Sequence, residues 1–196
     1  MDRPHTFTLT ELSRDGKTQS LRIDGKNTLT CHSEALNAFL AWDAVHKRSI
    51  NILSQPSLAT AHIDRFQIPA KTTKESGKKK DGVSIEFFSH FHEIQLLKLS
   101  GACKHSFKVH RQPSLVAIRE LAWLEVAHLL HGRLDPKTGW ASWRQVINSF
   151  MPEDLIRKFF GKKRLTNRQV CEISGLHSRS LDRQLQRLKK DNDAHA

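Results

Sequence analysis

Residues 166–188 have the sequence TNRQVCEISGLHSRSLDRQLQRL, whose spacing predicts two short helices joined by a tight turn. Thr166 and Gln169 match a capping box, in which each side chain satisfies a free backbone amide at a helix start. Gly175 stands where such a turn needs a positive φ, which glycine adopts without steric cost. Ser178 follows as the predicted N-cap of the second helix. These signals occur in the order that a helical pair requires.

The second of these helices is predicted to be amphipathic. Leucines recur along it at the spacing of one buried helix face: Leu181, Leu185 and Leu188. The opposite face carries mainly cationic and amide side chains: Arg179, Asp182, Arg183, Gln186, Arg187 and Lys190. Two helices with a glycine turn and an arginine-rich second helix are typical of a helix-turn-helix that enters the DNA major groove. A plain αα-corner in a helical protein is the alternative.

The charge of the chain favours a nucleic-acid partner. Lys and Arg number 32 against 20 Asp and Glu, which gives a formal net charge of +12. The excess of positive charge is concentrated between residues 157 and 190, a segment with eleven basic residues and only two acidic ones. Contacts to DNA phosphates require such a basic region on the helix-turn-helix. A solvated basic face without a partner is the alternative.

The composition predicts a globular, cytoplasmic protein of one or two small domains. The chain has 196 residues, 38% of them hydrophobic, with four Trp and ten Phe. It has no apolar run long enough to span a membrane, and residues 1–10 lack the apolar core of a signal peptide. Three widely spaced cysteines favour reduced thiols over a disulfide framework: Cys31, Cys103 and Cys171.

The first part of the chain is predicted to mix strands with helices. Alternating apolar residues at 6–12 and 20–23 flank Asp15-Gly16, which indicates a hairpin. A helix is expected from Ser33 to about Lys47, followed by a short strand at 49–53. The buried stripe of this helix is predicted to comprise Ala35, Leu36, Phe39, Leu40 and Ala44.

A basic loop is the clearest irregular segment. Residues 71–82, KTTKESGKKKDG, are polar and punctuated by glycine, with strands predicted on either side at 61–68 and 83–88. We interpret these strands as a hairpin with a long basic tip. The tip either contacts a phosphate backbone, as a wing does, or is only a solvated loop. Residues 90–97 fit a short helix or more strand equally well.

The second half is predicted to be mainly helical. A strand at 106–110 precedes a long helix that begins at Pro113 and ends near Arg133. Residues 135–139 form a turn by composition. Two further helices before the helix-turn-helix are expected at 143–150 and 152–160.

A family resemblance lies in residues 121–147, LAWLEVAHLLHGRLDPKTGWASWRQVI. This segment resembles the winged-helix core of plasmid replication initiator (Rep) proteins and is most similar to the iteron-binding initiators of IncQ-type plasmids. In that family a helix ends in Leu-Leu-His, a turn with Asp-Pro and Lys-Thr-Gly follows, and the next helix opens with a small residue and Ser. The matching residues here are Leu129, Leu130 and His131, then Asp135–Gly139, then Ala141 and Ser142.

The resemblance implies an α+β fold of two pseudo-repeated winged-helix units with short antiparallel strands. It also implies binding to repeated origin sequences, initiation of plasmid replication, homodimerisation and recruitment of host replication proteins. We therefore expect a degenerate winged-helix-like α+β domain at residues 1–105, a helix-turn-helix DNA-binding domain at 106–190 and a tail at 191–196.

Several kinds of chemistry have no support in the sequence. The chain lacks Tyr, which excludes DNA strand transfer through a tyrosine nucleophile. It also lacks a glycine-rich phosphate loop for ATP hydrolysis. The best metal candidates do not have a zinc-finger spacing: His90, His92, Cys103 and His105. We expect no enzyme activity, no cofactor and no bound metal.

The expected partner is double-stranded DNA, with the second helix in the major groove. Base contacts are predicted for His177, Ser178, Arg179, Asp182 and Arg183, with the two arginines contributing most. Phosphate contacts are predicted for Lys162, Lys163, Arg164, Arg168, Arg187, Lys189 and Lys190. A transcriptional regulator or autorepressor of a plasmid or mobile element is the main alternative to an initiator. A third interpretation is a partner-binding module whose helices dock protein.

Overall fold

Five strands form one mixed sheet in the order β1-β5-β3-β4-β2. The computed structural model describes residues 12, 16–22, 28–49, 67–74, 83–100, 104–128, 134 and 137–193. The strands are β1 (Lys17–Arg22), β2 (Thr28–Cys31), β3 (Ile68–Lys74), β4 (Val83–Phe87) and β5 (Lys104–His110). The helices are α1 (Ser33–Ser49), α2 (Phe91–Ser100), α3 (Leu115–His128), α4 (Gly139–Phe150), α5 (Glu153–Phe160), α6 (Asn167–Ser174) and α7 (Ser178–Asp193). The predicted α+β class is confirmed.

The chain divides into two units that do not follow it linearly. The sheet unit comprises Leu9–Phe39 and Asn51–Glu125. The helical unit comprises Met1–Thr8, Leu40–Ile50 and Val126–Ala196. All five described strands therefore belong to the sheet unit, and α4 to α7 belong to the helical unit.

The sheet is mixed, whereas purely antiparallel strands were expected. β1 pairs antiparallel with β5, and β3 pairs antiparallel with β4. β2 and β4 pair in parallel, as do β3 and β5. Parallel neighbours need a long crossover, and α1 and α2 lie on the connections that provide it. The sheet differs from the prediction because its parallel pairs join strands that are distant in sequence.

The predicted basic hairpin exists, but its first strand lies further along the chain. β3 and β4 pair from Ala70 opposite Phe87 to Lys74 opposite Val83. Residues 71–74, predicted as loop, are therefore strand, and the β-branched Thr72 and Thr73 suit that position. The predicted tip between Lys74 and Val83 lies outside the described residues, as does most of the strand expected at 61–68.

The buried face of α1 differs from the predicted stripe. Ala35, Ala38 and Val45 are fully buried, and Trp42 is nearly so. Leu36, Leu40 and Ala44 of the predicted stripe are exposed instead. The buried positions follow a spacing of three, four and three residues, which is also a helical period. Alanine there lets the backbone approach its neighbours closely, and pattern alone could not choose between the two faces.

Aromatic side chains fill the core of the sheet unit. Phe39 of α1 lies edge-to-face with Phe87 and Phe91, with ring centroids 5.5 and 5.3 Å apart. Phe107 of β5 and Phe88 after β4 are fully buried. Edge-to-face pairs of this kind add about 0.5–1.5 kcal/mol each beyond their burial.

The remaining segment predictions have mixed outcomes. Residues 90–97, ambiguous from the pattern, lie mainly in helix α2. The long helix α3 begins at Leu115, and its predicted end near Arg133 lies outside the described residues. The strand at 6–12 is outside them too, except Leu12, which is not in a strand. Ser49, expected to start a strand, is the last residue of α1.

The helical unit packs around Trp143 of α4. Its indole Nε1 donates to the backbone oxygen of Val126 at 2.9 Å, and its ring contacts that of Phe160 edge-to-face. α4 begins at Gly139, four residues earlier than predicted. Within the described ranges, no helix is both long and apolar enough to cross a membrane.

Candidate nucleic-acid interface

The turn between α6 and α7 has the predicted geometry. Thr166 accepts from the backbone N–H of Gln169 at 3.3 Å, and the Gln169 side chain accepts from the N–H of Thr166 at 3.2 Å. This reciprocal pair is the expected capping box. Gly175 ends α6 with a φ of +71°, and its N–H donates to the oxygen of Cys171. The two predicted helices and their turn are confirmed.

The predicted N-cap of α7 was wrong by one residue. Ser178 is the first helical residue, and His177 occupies the cap position. The backbone N–H of Arg179 donates to Nδ1 of His177 at 3.2 Å, and the His177 oxygen accepts from Ser180 N. Nδ1 accepts this hydrogen bond, so the His177 side chain caps the first turn of α7.

Replacing Gly175 with alanine is expected to destabilise the helical unit by about 1 kcal/mol, because an L side chain is strained at positive φ. A Cβ at this position would meet nothing within 4 Å, so strain is the only expected penalty. Urea denaturation monitored by circular dichroism measures the change. Gly175→Asn is the matched control, since Asn tolerates the left-handed region. Equal losses in the two variants would contradict this account.

α7 is anchored by a buried polar side chain that the sequence pattern did not indicate. Leu181, Gln184 and Leu188 are buried, while Leu185 of the predicted seam is only half-buried. Oε1 of Gln184 accepts from the backbone N–H groups of Trp140 and Ala141, at 3.1 and 3.3 Å. The first amides of a helix have no acceptor within the helix itself, so Gln184 caps α4 from α7. This cap explains the early start of α4.

The basic turn before α6 is held by side chains of α4. Oδ1 of Asn148 accepts from Leu165 N at 2.8 Å, and its Nδ2 donates to Leu165 O at 2.9 Å. Nε of Arg144 donates to the same oxygen at 3.1 Å. Gly161 ends α5 with a φ of +72° and turns the chain toward this anchor. Lys162, Lys163 and Arg164 are thus presented from a fixed backbone; neither Asn148 nor Arg144 carried a sequence signal for this role.

Every side chain predicted to contact DNA is exposed. The predicted base-contacting residues lie at the start and on the outer side of α7: His177, Ser178, Arg179, Asp182 and Arg183. The predicted phosphate-contacting residues are exposed as well: Lys162, Lys163, Arg164, Arg168, Arg187, Lys189 and Lys190. Two consecutive turns of α7 therefore display arginine and aspartate opposite the buried Leu181.

Few acidic groups neutralise this basic surface. Lys163 lies 3.8 Å from a Glu153 carboxylate oxygen, and Arg168 pairs with Glu172 at 2.8 Å. The hydrogen bond from Arg157 lowers the pKa of Glu153, which keeps that carboxylate ionised. Within residues 137–193, the other predicted DNA-contacting cations have no ion pair. These cations are Lys162, Arg164, Arg179, Arg183, Arg187, Lys189 and Lys190.

The candidate metal residues of the sheet unit have a different setting. No three His, Cys, Asp or Glu side chains in the described part of the chain gather as metal ligands. His90 has a φ of +59° and lies at the start of α2. Its backbone N–H and that of Phe91 donate to the two carboxylate oxygens of the buried Glu125, at 2.5 and 2.6 Å. Glu125 of α3 thus caps α2, while Cys103 lies outside the described residues.

No protein-family model, curated protein or solved structure matches this chain.

Proposed function

We propose that this chain binds double-stranded DNA sequence-specifically through α6 and α7. The observation that carries the proposal is the outer face of α7, where Arg179, Asp182 and Arg183 are exposed directly after the left-handed turn at Gly175. An α-helix with its opposite face buried can enter the major groove and present such side chains to base edges.

The proposed contacts divide into two classes. Arg179 and Arg183 form paired hydrogen bonds with guanine, and Asp182 accepts from a cytosine amino group. His177 and Ser178 lie at the helix start, where base contacts of this motif concentrate. The basic turn at 162–164, Arg168 and the cations further along α7 bind phosphates and fix the orientation without selecting sequence.

We further propose that the bound DNA is a set of repeats in a plasmid origin, at which the chain initiates replication. The support is the resemblance of residues 121–147 to winged-helix initiators, including the small residue and Ser in the first turn of α4, at Ala141 and Ser142. A second copy of the chain and host replication proteins are the further partners this function implies. A winged-helix fold is part of the same proposal. The described strands all lie in the sheet unit.

A transcriptional regulator is the second candidate function. One observation favours it: a cavity beside α7 is lined by Arg164 and Lys189, both proposed phosphate contacts. Ligand binding at that place can change DNA affinity, as a regulator requires. Footprinting of the purified protein across DNA flanking its own gene separates the candidates. Regularly spaced protected repeats support initiation, a single protected palindrome supports regulation, and no protection contradicts both.

Arg179→Ala is expected to cost about 1–3 kcal/mol of binding to cognate DNA and to relax specificity at one base position. Arg187→Ala is the matched control, being the same substitution two turns further along the exposed face of the same helix. It should weaken binding to cognate and random duplexes by equal factors, because it removes a phosphate contact. Fluorescence anisotropy on both duplexes gives the ratios. If Arg179→Ala also weakens both duplexes equally, its assignment to base contact is wrong.

A further inference from the structure

A cavity of about 720 Å³ opens in the helical unit beside α7. Its walls come from the second half of α4, from residues 164–167 at the start of α6 and from the C-terminal half of α7. Small-molecule sites typically enclose about 300–1,000 Å³. The space therefore suits an organic molecule rather than a single ion.

The charge around this cavity is predominantly positive. Arg144, Arg164 and Lys189 line it, against one acid, Asp193. The bond from Nε of Arg144 to Leu165 O fixes the guanidinium in the wall. Within residues 137–193 neither Arg164 nor Lys189 has an ion pair. Arg164 and Lys189 are therefore available to an anion, and Arg144 adds a third positive charge beside them. Arg and Lys are the side chains that bind phosphate best.

Two further features define the chemistry of the occupant. The start of α6, with Thr166 and Asn167, also lines the cavity, and a helix N-terminus carries partial positive charge. Leu165, Leu185 and Leu188 supply an apolar wall. The combination fits a molecule with a phosphate at one end and an apolar group at the other.

We propose that this cavity binds a small organic phosphate and that its occupation weakens DNA binding. The second part rests on the proposed function, in which Arg164 and Lys189 contact DNA phosphates. A ligand phosphate held by the same two side chains removes them from the DNA interface. Arg144 contacts the ligand and makes no proposed DNA contact itself, although it holds Leu165 in the basic turn. The effect of the ligand on DNA binding is therefore measured within each variant, with and without ligand.

Phenyl phosphate is the probe, because it joins a phosphate to an apolar ring. Titration into the full ¹⁵N-labelled chain is expected to give saturable amide shifts around the cavity, with a Kd of about 1 mM or tighter. Inorganic phosphate should bind about 10-fold more weakly, since it makes no contact with the leucines. Arg144→Ala should weaken phenyl phosphate binding about 10-fold or more. Arg164→Ala, at an exposed residue, should weaken it several-fold without affecting folding.

Arg157→Ala is the control, since Arg157 is exposed and lies outside the cavity. It should leave the Kd for phenyl phosphate within about 2-fold. An equal loss in Arg157→Ala and Arg144→Ala would show general attraction of anions to a basic protein and overturn the site. No saturable shifts around the cavity would overturn it as well.

DNA binding provides the second arm. Saturating phenyl phosphate is expected to weaken duplex binding about 10-fold in the native chain and much less in Arg144→Ala. Because Arg144 also holds the basic turn at Leu165, each chain is compared with itself in the absence of phenyl phosphate. Arg144-dependent phenyl phosphate binding without that loss refutes the coupling. If the chain binds phenyl phosphate but no duplex, the proposed function fails and the site stands. If phenyl phosphate does not bind, the inference is wrong, and a loss of DNA affinity in Arg144→Ala then reflects only its hold on the basic turn.

Discussion

Raising the NaCl concentration from about 50 to about 200 mM is expected to weaken binding to a cognate duplex by about a thousandfold. Each phosphate contact releases counterions condensed on DNA, so the logarithm of affinity falls by about 0.9 per contact for each decade of salt. Seven exposed cations are proposed to make such contacts. Lys163 and Arg168 already lie near Glu153 and Glu172, so the effective number is about five to seven. Fluorescence anisotropy titrations at four or five salt concentrations give the slope.

A pair of variants with the same change of net charge tests where these contacts lie. Lys162, Arg187 and Lys190 replaced together by alanine should reduce the salt slope by about 2.7. The control replaces three exposed cations of the sheet unit with alanine: Lys17, Lys108 and Arg111. It should leave the slope nearly unchanged. Equal effects of the two triple variants would mean that overall charge, not the surface of α6 and α7, attracts DNA. A slope near zero in the native chain would favour a module that docks protein.

The helix-turn-helix could be predicted because its determinants are local. The capping box at Thr166 and Gln169 and the glycine at 175 act within a few residues of themselves, so the sequence specifies them directly. Exposure of Arg179 and Arg183 follows from burial of Leu181 on the opposite side of the same helix. Most of the candidate interface could therefore be predicted from interactions between residues that are close in sequence.

The anchors of that interface could not be predicted, because their partners lie far away in sequence. Gln184 caps α4 more than forty residues earlier, and Asn148 holds Leu165 across seventeen. The sequence around a polar residue on a helix face does not indicate which distant group that residue will bind. The parallel pairings of β2 with β4 and of β3 with β5 have the same origin, since register between distant strands depends on the whole sheet. Leu36 and Leu40 were wrongly predicted to be buried, because the side of α1 that carries alanine packs more closely.

The unfolding free energy of the sheet unit is expected to fall as pH rises from about 5 to 8, through the carboxyl group of Glu125. Burial raises the pKa of Glu125 to about 8, with Glu93 adding to the increase, while the backbone hydrogen bond from Phe91 opposes it. A group whose pKa is raised in the folded state stabilises that state below its unfolded pKa, near 4.5, and loses the contribution as pH passes the folded value. The full contribution is on the order of 5 kcal/mol.

Histidines of the same unit act in the opposite direction. Burial lowers the pKa of His32 and that of His90, so the unfolded chain binds more protons near pH 6. Their contribution to the unfolding free energy therefore rises with pH. The pH profile of the native chain alone contains both effects, and a variant at Glu125 is needed to isolate the carboxyl group.

Glu125→Gln is expected to remove the fall in stability between pH 5 and 8 while lowering stability at pH 5 by about 1–3 kcal/mol. The loss at pH 5 arises because both carboxyl oxygens of Glu125 accept backbone N–H groups, and the amide nitrogen of Gln cannot accept. Urea denaturation of both chains at pH 5 and pH 8, followed by circular dichroism, gives the difference. Glu172→Gln is the control, since the carboxylate of Glu172 is exposed. The unfolding free energy of this variant should depend on pH as that of the native chain does. If Glu125→Gln keeps the native pH dependence, the carboxyl group ionises normally in the folded state, and its contacts with the start of α2 outweigh its burial.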